Sequence, residues 1–87
     1  MIDPFAADIV GLIGSALFIG AFAYANVAKA LDKVLFNLAN LAGAILLLIS
    51  LSVTFNLAAF VLEAAWAAIA AAGLVLAMRA KAREKGS

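Results

Sequence analysis

The chain contains no cysteine and no histidine, and few of its residues are charged. Without cysteine it can form neither a disulfide nor a thiol nucleophile, and without histidine it lacks the commonest general base and metal ligand. We therefore expect no enzyme, no metal site and no cofactor. A formal net charge of +1 is also too small to indicate binding to nucleic acid.

Most of the chain is hydrophobic. Of its 87 residues, 69% are hydrophobic and 13% are charged, and the mean hydropathy is +1.21. A soluble domain has about a quarter charged residues and under half apolar ones. In water, this chain would expose far more apolar surface than a soluble monomer tolerates. We therefore expect an integral membrane protein whose solvent is the lipid bilayer.

The few charged residues divide the chain into apolar segments. Residues 9–28 carry no charge, and residues 34–78 carry only Glu63. A helix needs about 20 apolar residues to cross a hydrocarbon core of about 30 Å, so the first segment fits one span and the second fits two, with a turn near Asn56. The prediction is an all-α, three-transmembrane-helix bundle in a single membrane domain, residues 1–87. Its helices are expected at about residues 9–28, 34–53 and 57–78, followed by a basic tail at residues 79–87.

The basic residues predict the orientation. In a protein with three spans, the first loop and the C-terminal tail lie on the same side of the membrane. All the lysines and arginines fall in these two segments: Lys29, Lys33, Arg79, Lys81, Arg83 and Lys85. Because basic residues concentrate on the cytoplasmic side, we predict an outside N-terminus and a cytoplasmic C-terminus.

Glu63 and Trp66 are the most informative polar residues of the third span. A carboxylate near the bilayer centre costs at least about 2.5 kcal/mol, so such a residue usually faces the bundle interior and is a functional candidate. Trp66 lies one turn later on the same face, and a carboxylate beside an indole suits a polyol or an amine ligand. Alternatively, Glu63 bonds a neighbouring helix and Trp66 fills space between helices.

Polar residues of the other two spans complete the predicted site. Asn37 and Asn40 lie one turn apart on the second helix, and an interhelical bond from such an amide contributes about 1 kcal/mol. They could either hold helices together or contact a ligand. Ser15 lies at the same depth as Glu63, which makes it the predicted hydrogen-bond partner of that carboxyl group. The predicted substrate-binding set is Glu63, Trp66, Asn40, Asn37 and Ser15.

Small residues spaced four apart predict close contacts between helices. The pairs are Gly11 with Ser15, Ala16 with Gly20, and Ala39 with Gly43.

Residues 37–44, together with Glu63 and Trp66, resemble a family of short bacterial three-helix membrane proteins of unknown function. The resemblance covers about residues 9–78, and it implies the fold and a multi-pass location in the bacterial inner membrane. The layout is also similar to that of the SemiSWEET sugar half-transporters, which pair as parallel homodimers around a central pocket. Their Pro-Gln hinge pair is missing from the first span here, since the only proline is Pro4.

Two functions fit these features. The first is a homodimeric half-transporter for a small polar solute, because three helices are too few to enclose a pathway and a midplane site would form between two copies. The second is an accessory or structural subunit, whose alanine-rich third helix packs against a larger membrane protein complex.

Overall fold

The computed structural model describes residues 3–86, which form three helices. Residues 1, 2 and 87 of the predicted domain lie outside the described residues. Helix α1 comprises Pro4–Val27, α2 comprises Lys33–Leu51 and α3 comprises Leu57–Gly86. Each is long and apolar enough to cross a membrane, which confirms the all-α, three-helix prediction.

Capping residues explain where α1 and α3 begin. Asp3 Oδ1 accepts a hydrogen bond from the backbone N–H of Ala6 at 2.7 Å, and Pro4 occupies the first helical position. This combination favours a helix start, so α1 begins five residues before its predicted start at residue 9. At α3, Asn56 Oδ1 accepts from the N–H of Ala59 at 3.1 Å. The predicted turn near Asn56 is therefore confirmed.

The connection between α1 and α2 is held by side chains. Asp32 caps α2 by accepting from the N–H of Leu35 at 3.1 Å, and its own N–H donates to the hydroxyl oxygen of Tyr24 at 2.8 Å. Helix α3 extends beyond its predicted end at residue 78, because the alanine, lysine, arginine and glutamate that follow are strong helix formers. The predicted basic tail is therefore helical through residue 86.

Helix α2 is the central helix. It packs against α1 on one side and against α3 on the other, while α1 and α3, within residues 3–86, make no close backbone contact. Their side chains nevertheless meet over α2, where the ring centroids of Phe18 and Trp66 lie 5.7 Å apart. Helices α1 and α3 are therefore linked through side chains rather than through close backbone contact.

The contact between α1 and α2 depends on glycine. A Cβ atom at Gly14 would lie 2.9 Å from the carbonyl oxygen of Gly43, and one at Gly11 would lie 2.7 Å from Ser50 Oγ. Real Cβ atoms do not approach that closely, so the two backbones can meet only because the side chains are absent. The contact continues along α1 through the buried Ala7 and Ala21.

The predicted small-residue pairs have mixed outcomes. Gly11 and Gly43 do lie in the α1–α2 contact. The predicted contact at Ala16 and Gly20 is wrong within this chain, since both residues are exposed and a Cβ atom at Gly20 would meet nothing within 4 Å. Spacing identifies a stripe of small residues on a helix, but it does not show whether another helix packs against that stripe.

Candidate functional site

Three neighbouring grooves share Trp66, which lies in the apolar part of α3. Two of them have volumes of about 400 Å³ and one has about 240 Å³. We call the surface they form the Trp66 face. Besides Trp66, its residues are Ser15, Phe18, Ile19 and Phe22 of α1, Phe36, Asn37, Asn40 and Leu47 of α2, and Leu62, Glu63, Ile69 and Ala70 of α3.

Trp66 connects all three helices. Its indole Nε1–H donates to Asn40 Oδ1 of α2 at 3.2 Å, and its ring lies against Phe18 of α1 with an interplanar angle of 49°. The side chain is still 46% exposed. The one polar atom of the indole is therefore occupied, while much of its aromatic surface remains open on the Trp66 face.

Both asparagine side chains donate a hydrogen bond to the backbone of their own helix, α2. Asn40 is buried and its Nδ2 donates to the carbonyl of Phe36 at 2.9 Å, while Asn37 Nδ2 donates to the carbonyl of Lys33 at 2.8 Å. Asn40 also accepts the bond from Trp66, so it does link two helices, as one of the sequence interpretations proposed. Asn37 instead packs against Gly73, where a Cβ atom would lie 2.5 Å from Asn37 Oδ1.

Glu63 carries the unpaired polar atom of the site. It lines one groove of about 400 Å³, and its Oε2 is buried without a hydrogen-bond partner. Ser15 lines the same groove, but it makes no hydrogen bond to this oxygen, so the predicted Ser15–Glu63 bond is wrong. The two residues belong to α1 and α3, whose backbones make no close contact within residues 3–86, and serine has a much shorter side chain than the aromatic residues that do meet there.

All five predicted substrate-binding residues line the Trp66 face. Ser15, Glu63 and Trp66 share one groove, and Asn37, Asn40 and Trp66 share the next. Their role in binding a substrate stays a prediction.

Sequence reasoning missed the aromatic partner of Trp66. Phe18 follows the buried Gly11 and Gly14 at seven and four residues, so it falls on the same side of α1 and could have been found from that spacing. Its contact with Trp66 depends on how α1 and α3 are positioned relative to each other, and the spacing of residues within one helix gives no information about that.

A separate groove of about 400 Å³ lies at the charged end of the bundle. Lys33 and Asp32 line it from the start of α2, and Lys81 and Glu84 line it from the last turns of α3. The α1–α2 connection and the basic end of α3 are therefore neighbours. Among residues 3–86, no group of three or more acidic, histidine or cysteine side chains is placed to hold a metal ion.

The Trp66 face combines one acid with aromatic and aliphatic walls. The carboxyl group of Glu63 can accept a hydrogen bond from a bound group or pair with its positive charge. The rings of Phe18 and Trp66 offer surface for stacking. The other side chains that line its groove are aliphatic or aromatic except for Ser15. The arrangement can hold a bound group by a hydrogen bond, by charge and by ring stacking.

Comparison with known proteins places the chain in a family. No curated protein and no solved structure matches it. The model of one protein family, whose function is uncharacterised, matches residues 7–82. That segment contains every residue of the Trp66 face and most of each helix. The chain therefore belongs to this uncharacterised family of proteins.

Proposed function

We propose that this integral membrane protein is a homodimeric half-transporter for a small polar solute, and that the Trp66 face forms half of the solute site. The buried, unpartnered Oε2 of Glu63 carries this proposal. In hydrocarbon, each unsatisfied polar group costs several kcal/mol. Glu63 lines an open groove, so a rotation of its side chain would bring this oxygen to a solute that enters the groove, and the solute would supply the missing bond.

The depth of the site fits transport. Glu63 lies six residues into α3, about 9 Å along the helix axis, and Asn40 lies seven residues into α2, about 10 Å from the opposite end. Both positions are well inside a hydrocarbon core of about 30 Å. Secondary transporters hold their substrates near the midplane, at the interface between two repeats.

A second copy would enclose the grooves. The Trp66 face is open toward the outside of the bundle, where Trp66 is 46% exposed and Ile69 is 70% exposed. If two copies paired about a two-fold axis through this surface, the Trp66 face of each copy would be covered by that of the other. Two Trp66 faces would then enclose one polar site between six helices.

The proposed topology is an outside N-terminus and a cytoplasmic C-terminus in the bacterial inner membrane. It is supported by the neighbouring positions of Lys33 and Lys81 at one end of the bundle. Since the chain has no cysteine, single-cysteine variants can test it. A membrane-impermeant maleimide should label Thr54→Cys in intact cells and Ala80→Cys only after permeabilisation. The reverse pattern would contradict the topology.

Disulfide cross-linking in native membranes tests the dimer. Three isoleucine-to-cysteine variants form a matched set: Ile19 and Ile69 line the Trp66 face, and Ile45 lies about 140° from Asn40 around α2. We expect Ile19→Cys or Ile69→Cys to give a covalent dimer after mild oxidation, and Ile45→Cys to give none. If only Ile45→Cys formed a covalent dimer, the interface would lie away from the Trp66 face, which would contradict the proposed dimer.

Solute uptake tests the function itself. Glu63→Gln and Trp66→Ala should leave the dimer intact and abolish uptake or binding of the solute. A cross-linked dimer that binds nothing in a broad solute screen would contradict the half-transporter.

A second candidate function is an accessory subunit that docks on a larger membrane complex. The outward side of α3 favours it, because Ala65, Ala68 and Ala72 are exposed at helical spacing and allow another helix to approach closely. Gentle extraction followed by mass spectrometry would then recover defined partners at fixed stoichiometry. Purification as a symmetric dimer alone would reject this function.

A further inference from the structure

We propose that the solute carries an ammonium group, and that its positive charge binds Glu63 beside the rings of Phe18 and Trp66. This inference rests on the proposed half-transporter and names the chemical class of its solute. It follows from three properties of the groove that contains Glu63: its single acidic residue without a basic partner, its shortage of free polar groups and its aromatic wall.

Glu63 has no basic partner in this groove. It is the only acidic or basic residue among those that line it, the others being Ser15, Phe18, Leu47, Leu62 and Trp66. On α3, the nearest basic residue is Arg79, 16 residues and about 24 Å farther along the axis. Lys33 of α2 lines a different groove with Lys81, at the charged end of the bundle. A cationic solute would supply the counter-charge that the chain itself does not bring.

The Glu63 groove offers few free hydrogen-bonding groups to a polyol. The indole N–H of Trp66 is occupied by Asn40, which leaves Ser15 and Glu63 to serve a solute there. The free amide groups of Asn37 and Asn40 belong to the neighbouring groove, where each Nδ2 uses one of its two N–H groups on a backbone carbonyl. Each buried hydroxyl left without a partner costs a bound molecule about 1–3 kcal/mol. A sugar or other polyol held in the Glu63 groove would therefore bury hydroxyl groups that Ser15 and Glu63 cannot all pair.

An organic ammonium ion matches the same groove. It needs one anion, which Glu63 supplies, and its apolar substituents need aromatic or aliphatic walls, which Phe18, Trp66 and Leu47 supply. A cation over an indole face gains additional electrostatic attraction, and this ring is 46% exposed. The groove volume of about 400 Å³ lies within the usual range for pockets that bind small molecules.

Tryptophan fluorescence offers a direct test, since Trp66 is the only tryptophan of the chain. The full-length protein in lipid nanodiscs would be titrated with benzyltrimethylammonium, with its uncharged carbon analogue neopentylbenzene, and with sorbitol. We expect a saturable change in Trp66 emission with the ammonium ion and no saturable change with the other two. A saturable response to neopentylbenzene of equal affinity would overturn the proposal, because charge would then contribute nothing.

Variants at two glutamates locate the charge that binds. Glu63→Gln keeps the shape of the side chain and should weaken ammonium binding at least about tenfold, because the neutral amide no longer attracts the positive charge of the probe. Glu84→Gln makes the same change at the exposed end of α3 and should leave binding unchanged. Glu63→Asp retains the charge and should restore part of the affinity, which separates loss of charge from misfolding. Equal affinity in the wild type and Glu63→Gln would overturn the proposal.

The outcomes distinguish this inference from the function on which it rests. Saturable sorbitol binding without ammonium binding would overturn the ammonium proposal and leave the half-transporter in place. Failure of both Ile19→Cys and Ile69→Cys to cross-link in membranes would instead overturn the half-transporter.

Discussion

The two helix contacts of this protein differ in chemistry. The α1–α2 contact is made by small residues, and its closest approach brings Gly14 against the backbone of Gly43. The α2–α3 contact contains amide and indole groups, with Trp66 donating to Asn40 and Glu63 left unpaired nearby. The first contact brings two backbones together, whereas the second holds polar groups deep in the membrane span.

This difference separates stability from function. Close backbone contact gains van der Waals attraction in lipid, where the hydrophobic effect does not drive helices together. Ionisable groups in the span are costly and are therefore functional candidates. Substitutions in the α1–α2 contact should therefore change mainly stability, and removing the unpaired acid beside the α2–α3 contact should not lower it.

The largest expected effect is at Gly14. Gly14→Ala would place a Cβ atom 2.9 Å from the carbonyl oxygen of Gly43, a rigid backbone atom. Because the helices must move apart, we expect a loss of about 1–3 kcal/mol in the free energy of unfolding. Reversible unfolding in mixed micelles of dodecylmaltoside and sodium dodecyl sulfate would measure it. An unchanged unfolding midpoint would show that the two helices are not in close contact.

Glu63→Leu should stabilise the isolated chain. The substitution removes a buried carboxyl oxygen that has no partner, and the unsatisfied group costs about 1–3 kcal/mol. The same unfolding assay, with Glu84→Leu as control at the exposed end of α3, would measure the gain. A loss of stability in Glu63→Leu would instead identify Glu63 as a residue that holds the helices together.

A smaller effect is expected for the hydrogen bond between Trp66 and Asn40. Trp66→Phe, Asn40→Ala and the double variant form a thermodynamic cycle that isolates their interaction. We expect a coupling energy of about 0.6 kcal/mol, the average for interhelical hydrogen bonds in membrane proteins. Additive effects in the same unfolding assay would contradict the bond at 3.2 Å.

The smallest effect should be at Gly20, which is the matched control for Gly14. Gly20→Ala adds a Cβ atom that meets nothing within 4 Å, so the free energy of unfolding should change by less than about 0.5 kcal/mol. A loss as large as that of Gly14→Ala would show that another chain packs closely against this side of α1.

Sequence alone could predict the spans because hydropathy and charge are read residue by residue along the chain. The same holds for the cap at Asn56, whose preference is local. The start of α1 at Pro4, which the prediction of residue 9 missed, could also have been predicted, since Asp3 followed by Pro4 is typical of a helix N-terminus. The scarcity of polar residues in the span identified Glu63 and Trp66 as candidates.

The relations between helices could not be predicted in the same way. Equal depth suggested a bond between Ser15 and Glu63, but the backbones of their helices make no close contact within residues 3–86. The contact of Phe18 with Trp66 depends on how α1 is rotated and displaced relative to α3. The close contact of Gly14 with Gly43 determines how α1 lies on α2, and only the three-dimensional structure shows it.

Fluorescence quenching by brominated lipid would test most directly whether a second copy covers the Trp66 face. The protein would be reconstituted into vesicles of lipid brominated near the middle of its acyl chains, and a Trp66→Phe variant that also carries Ile45→Trp would serve as reference for the opposite side of the bundle. We predict weak quenching of Trp66 and strong quenching of the tryptophan at position 45. Equally strong quenching at both positions would show that Trp66 faces lipid and that no second copy encloses the site.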